Sequence, residues 1–88
     1  MDREVLSSIA EGAAREVFDV VAKERQIYLK DLEGKTNLET EEVHRTLNQL
    51  QNDGLVKVRE APWGETDFNS VLITSKGLTA QSKLERLS

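Results

Sequence analysis

The sequence contains no cysteine, a single proline (Pro62) and only four aromatic side chains, Phe18, Tyr28, Trp63 and Phe68. Without cysteine no disulfide can staple the fold, and no thiolate is available to ligate zinc or attack a substrate. No run of about 18 apolar residues occurs, so no membrane-spanning helix is expected. The opening residues Met1, Asp2, Arg3 and Glu4 lack the basic-then-apolar order of a secretory signal, and a cytoplasmic location is expected. A basic excess is missing too, since 16 acidic against 12 basic residues give a formal net charge of -4. Nucleic-acid binders usually carry a concentrated basic patch, because neutralising phosphates supplies much of their affinity. Here the acids gather in residues 1–24 and in residues 39–53, where Glu39, Glu41, Glu42 and Asp53 stand against the single base Arg45. Bases outnumber acids only in residues 25–38 and 75–88.

What remains is enough for one small unit. A chain of 88 residues buries about 60–65% of its unfolded surface, which supports one modest core and excludes the large enzyme folds. There is no internal repeat, low-complexity tract or Pro, Gly or Ser-rich linker, so a single domain over 1–88 is expected. From Asp2 to about Lys23, apolar residues recur at Leu6, Ile9, Ala13, Val17 and Val21, which predicts a helix, with a bend or a division at Gly12. Gln26–Leu29 is β-prone, and Lys30–Lys35 suits a two-turn helix. Thr40 is expected to cap a further helix whose first turn holds Glu41 and Glu42, whose buried stripe is Val43, Leu47 and Leu50, and which ends at Asn52-Asp53-Gly54. Leu55–Arg59 and Val71–Ile73 read as two strands joined by a loop of about eleven residues. Thr74 or Ser75 then opens a C-terminal helix with Leu78, Leu84 and Leu87 as its apolar contacts.

This order of elements resembles the winged helix-turn-helix domain. Val43 to Val58, reading V-H-R-T-L-N-Q-L-Q-N-D-G-L-V-K-V, is similar to the third helix and first wing strand of such domains. Leu72-Ile73-Thr74-Ser75-Lys76-Gly77-Leu78 looks like the strand-to-helix junction of MarR-like and related regulators, and with Val17–Val21 and Leu29–Leu32 the resemblance spans roughly residues 14–80. It implies an α+β winged helix-turn-helix with a three-helix core, a two- or three-stranded β wing and a C-terminal helix. It also implies double-stranded DNA as a partner, with the third helix in the major groove, and a role in transcription regulation. Winged helices also serve as protein-docking modules, so a protein partner is the alternative.

No enzyme constellation emerges, and neither a cofactor nor a metal site is expected. His44 is the only histidine, Glu41 and Glu42 are adjacent and diverge on a helix, and the glycines match no phosphate or dinucleotide loop. On the expected outer face of the third helix, Arg45 suits a paired contact to guanine and Asn48 or Gln49 to adenine, with His44 beside them; the alternative is an ordinary polar helix face. Lys30, Lys35, Lys57 and Arg59 are the candidate phosphate contacts. Trp63 and Phe68 make the wing loop aromatic, either anchoring it to its own domain or binding a partner; a rim of Glu60, Glu65 and Asp67 would suit a basic protein. The start of the first helix, with Val5, Leu6 and Ile9, is expected to pack against the C-terminal helix or to join a homodimer through it.

Overall fold

A computed structural model describes residues 3–65 and 68–87; the side chains of residues 3–5 and of Leu87 fall outside that description, and with them the expectations placed on Val5, Asp67 and Leu87. The order is α1 (Arg3–Ser8), α2 (Gly12–Glu24), β1 (Gln26–Tyr28), α3 (Leu29–Lys35), α4 (Thr40–Asn52), β2 (Val56–Arg59), β3 (Ser70–Ile73) and α5 (Ser75–Leu87). The strands form one antiparallel sheet in the order β1-β3-β2. This is the α+β, winged helix-turn-helix architecture expected from the sequence, with the third strand present as β1.

The core is aliphatic around one ring. Phe18 is fully buried on α2 beside Val17 and Val21, in one core cluster with Leu32 of α3, the Val43, Leu47 and Leu50 stripe of α4, Val71 of β3 and Leu84 of α5. The amphipathic spacing of α2 and α4 explains why these two helices pack against each other, since each has one apolar face to cover.

The N-terminal helix divides. Glu11 is extended (φ -156°, ψ 169°) and Gly12 takes φ +74°, a conformation that favours glycine, so the chain turns between α1 and α2. The turn drops Ile9 into the core at 0% exposure, with Leu6 packed against the same cluster. Of the two alternatives for the start of the first helix, Ile9 thus takes the one within the chain, and it is not available to a dimer interface.

Two expectations are corrected. Thr40 is the first residue of α4 rather than its cap; Glu39 holds the cap position with no side-chain hydrogen bond. The first-turn carboxylates of Glu41 and Glu42 are left to favour the positive helix end. Leu78 is 39% exposed, because α5 turns Ala80 and Leu84 inward instead.

The end of α4 is firmly built. The Gly54 N–H donates to Gln51 O at 3.0 Å and the Leu55 N–H to Leu50 O at 2.9 Å, with Gly54 at φ +76°. This paired closure satisfies two helix-end carbonyls, and the flanking Leu50 and Leu55 are both fully buried. It turns the chain directly into β2 and so fixes how the wing sits against α4.

Candidate nucleic-acid interface

The outer face of α4 follows from its buried one. With Val43, Leu47 and Leu50 turned inward, the 3.6-residue period puts Arg45, Asn48 and Gln49 in solvent, and all three are exposed. Arg45 stands nearly opposite the buried stripe, and Glu41 lies one turn before it on the same face. No ion pair joins Glu41 to Arg45 among the described residues, so both charges face outward. His44 sits at the margin, half-buried, with Nε2 3.2 Å from Glu33 Oε1 of α3. Glu33 escaped the sequence reading because its contact with His44 depends on how α3 crosses α4, not on spacing.

Of the candidate phosphate contacts, Lys30 is exposed on α3, and Lys35 at the end of α3 lies 3.6 Å from Glu24. The wing cations sit elsewhere. A groove of about 300 Å³ runs between α4 and the wing, lined by His44, Asn48 and Gln51 on one side and Val58 and Glu60 on the other. Successive strand residues point to opposite faces, so Lys57 and Arg59 project from the side of the sheet away from this groove. The structure therefore gathers Arg45, Asn48, Gln49 and His44 on one helix and does not bring Lys57 and Arg59 beside them. On the groove side the wing offers a carboxylate, Glu60.

The wing aromatics are exposed rather than anchoring the loop in the core. Trp63 is 63% exposed, Phe68 37% and Tyr28 48%. The rings form a row, with Trp63 and Phe68 6.0 Å apart and tilted, and Phe68 and Tyr28 5.8 Å apart, edge to face. Tyr28 was not singled out from the sequence because its neighbour lies forty positions away; the pairing of Tyr28 with Ser70 across β1 and β3 makes them meet. Of the acids expected around Trp63, Glu60 lines the groove toward α4, Glu65 is exposed in the wing loop, and Asp67 lies outside the described residues. Asn69 closes the loop base by accepting the Ala61 N–H on its side-chain oxygen at 2.8 Å.

The arrangement supplies hydrogen-bond donors, cations and ring faces, which are means of binding. Among the described residues no group of three or more His, Asp or Glu is placed to hold a metal ion, and no helix is long and apolar enough to cross a membrane.

Solved structures share this fold. A cysteine-to-serine mutant of MarR from E. coli, complexed with operator DNA, superposes with a TM-score of 0.75 at 21% identity, covering 96% of this chain and 60% of that one. A MarR family regulator from Neisseria meningitidis gives 0.75 at 16% identity, covering 96% and 59%. The YusO protein from Bacillus subtilis gives 0.74 at 10% identity, covering 94% and 59%. The chain thus spans about 60% of the length of these structures. At these identities the likeness establishes the winged-helix fold. No curated protein sequence is a significant match. Residues 2–76 match the family profile of the TFIIE alpha subunit, and the chain belongs to that family.

Proposed function

We propose that this chain is a DNA-binding winged-helix unit acting in transcription, with α4 entering the major groove of duplex DNA. The observation that carries the reading is the outer face of α4, where Arg45, Asn48 and Gln49 stand in solvent on a helix whose opposite side is locked into the core. Arg45 pairs with guanine through two N–H donors, Asn48 and Gln49 exchange two hydrogen bonds each with adenine, and His44 contributes from the margin. Lys30 and Lys35 contact phosphates from α3, while Lys57 and Arg59 reach the backbone only along the outer flank of the wing. A MarR protein of the same fold is known bound to its operator DNA, which favours the duplex as the partner here.

In this reading residues 1–88 act as one winged-helix domain. With so few cations on the α4 side, useful affinity calls for two copies on one duplex, joined through the exposed side of α5 around Leu78. Titration of the chain against mixed-sequence duplex DNA at about 50 mM and about 200 mM salt tests the proposal. Binding at the lower salt that weakens steeply at the higher is expected; no binding at the lower salt, or binding indifferent to salt, would falsify it.

A further inference from the structure

The side of the sheet that faces away from the helices is open and has a consistent chemistry. Two cross-strand rows make it up: Tyr28, Ser70 and Arg59 in one, Gln26, Leu72 and Lys57 in the other. None of the six is buried, whereas Ile27, Val56 and Val71, which alternate with them, are in the core. At the loop end of the face, Phe68 and Trp63 extend the Tyr28 ring into a row of three exposed aromatics. At the β2 side, Lys57 and Arg59 have no ion pair among the described residues.

We infer that this outer sheet face binds single-stranded RNA, with bases stacked on Tyr28, Phe68 and Trp63 and phosphates tracked along Lys57 and Arg59. Charge and shape select this occupant. A basic protein segment would meet Lys57 and Arg59 unfavourably on the β2 side of the face. A duplex keeps its bases stacked inside and cannot present their planes to the three rings, whereas an unpaired strand offers each base face in turn. The carboxylates Glu24 and Asp31 lie at the β1 margin, and Glu24 is 3.6 Å from Lys35; they confine the phosphate track to the β2 side. Between Tyr28 and Arg59 lies Ser70, whose hydroxyl can both donate and accept. A ribose 2′-hydroxyl does the same, and this selects RNA over DNA.

Trp63 is the only tryptophan in the chain, so its fluorescence reports stacking directly. Titration of the full chain with an unstructured RNA of about 12 nucleotides at low salt should quench that fluorescence saturably. With a fluorescein-labelled strand read by anisotropy, Tyr28→Ala and Trp63→Ala should each weaken binding by roughly 5- to 100-fold. Lys57→Gln should reduce the salt slope by roughly 0.7. Circular dichroism verifies that the variants remain folded, as expected for exposed positions. Arg45→Ala should leave RNA binding unchanged while weakening duplex DNA, so this inference and the duplex reading succeed or fail separately. The inference is overturned by absent quenching and anisotropy change, by ring variants that bind like the parent, by equal affinity for single-stranded DNA of the same sequence, or by equally effective displacement with a polyglutamate peptide.

Discussion

The Thr74 hydroxyl lies 2.6 Å from the Gly54 carbonyl oxygen and joins the end of α4 to the start of α5. Thr74 Oγ1 also accepts the Gly77 N–H at 3.0 Å, acting as the cap of α5, while the Thr74 N–H donates to Leu55 O at 3.1 Å. Lys76 adds a bond from Nζ to Asp53 O at 2.7 Å. One residue thereby serves two helix ends, and the wing strands are held between them. Thr74→Val keeps the shape and loses the hydroxyl's bonds to Gly54 O, Leu55 O and the Gly77 N–H, and a destabilisation of about 1–2 kcal/mol is expected. Thr74→Ser should recover most of it. Urea denaturation followed by circular dichroism measures both.

Gly77 packs directly under the same junction. A Cβ there would collide with the Leu55 carbonyl and come within 2.6 Å of Ile73 Cδ1. The first obstacle is backbone held by the Thr74 N–H, so it cannot move aside as a flexible side-chain tip would. Gly77→Ala gains helix propensity of about 1 kcal/mol, and overpacking of about 1–3 kcal/mol or more outweighs it. A lower urea midpoint is expected at unchanged slope; a midpoint equal to the parent would show that α5 can slide on Leu55.

Arg25, between α2 and β1, is the one described non-glycine residue with positive φ, at 69°. Its N–H donates to Val21 O at 2.8 Å and its carbonyl accepts the Ile73 N–H at 2.9 Å, so both sides of the residue are pinned. Strain in such a conformation costs on the order of 1–3 kcal/mol, whereas a glycine raises the entropy of the unfolded chain by about 0.4–1 kcal/mol. The first figure is the larger. Arg25→Gly is therefore expected to stabilise the protein, even with the exposed 3.5 Å contact to Gln81 lost. A rise in the thermal midpoint checks this.

These junctions show how much of the molecule was written locally. The Asn52-Asp53-Gly54 stop, the Val43, Leu47 and Leu50 stripe and the Thr74 opening of α5 depend on residues a few positions apart, and all three are where the pattern placed them. Thr40 was misread because the hydroxyl at a helix start resembles a cap, yet the chain enters α4 one residue earlier through extended Glu39. The interface was less legible for a different reason. Alternation along β2 puts Lys57 and Val58 on opposite faces, but which face meets α4 depends on the sheet order β1-β3-β2. The Tyr28, Phe68 and Trp63 row likewise exists only once β1 pairs with β3.

Because Trp63 is 63% exposed, its removal should cost little stability, within about 0.5–1 kcal/mol. Phe18 is the contrast: at 0% exposure in the centre of the core, Phe18→Ala should cost about 3–5 kcal/mol and leave a largely unfolded domain. The pair of variants separates an aromatic kept for packing from one kept for a partner. A loss with Trp63→Ala comparable to that of Phe18→Ala would return the wing tryptophan to a structural role.

Glu41 provides the sharpest test of α4, because its two effects have opposite signs. In the first turn of the helix its carboxylate favours the positive end, so Glu41→Gln should cost stability by about 0.3–1 kcal/mol. On the outer face, one turn from Arg45, the same charge opposes an approaching phosphate backbone. Its removal should therefore tighten duplex DNA binding by roughly threefold at low salt, a gain that fades as the screening length shortens. The Glu42→Gln variant is the companion, since Glu42 shares the first turn but is turned partly toward the body of the protein. It should lose a similar amount of stability with a smaller gain in binding. Affinity measured at two salt concentrations, beside urea midpoints for both variants, distinguishes a DNA-facing α4 from one that only closes the core; equal affinities for the parent and Glu41→Gln at low salt would place the duplex elsewhere on the surface.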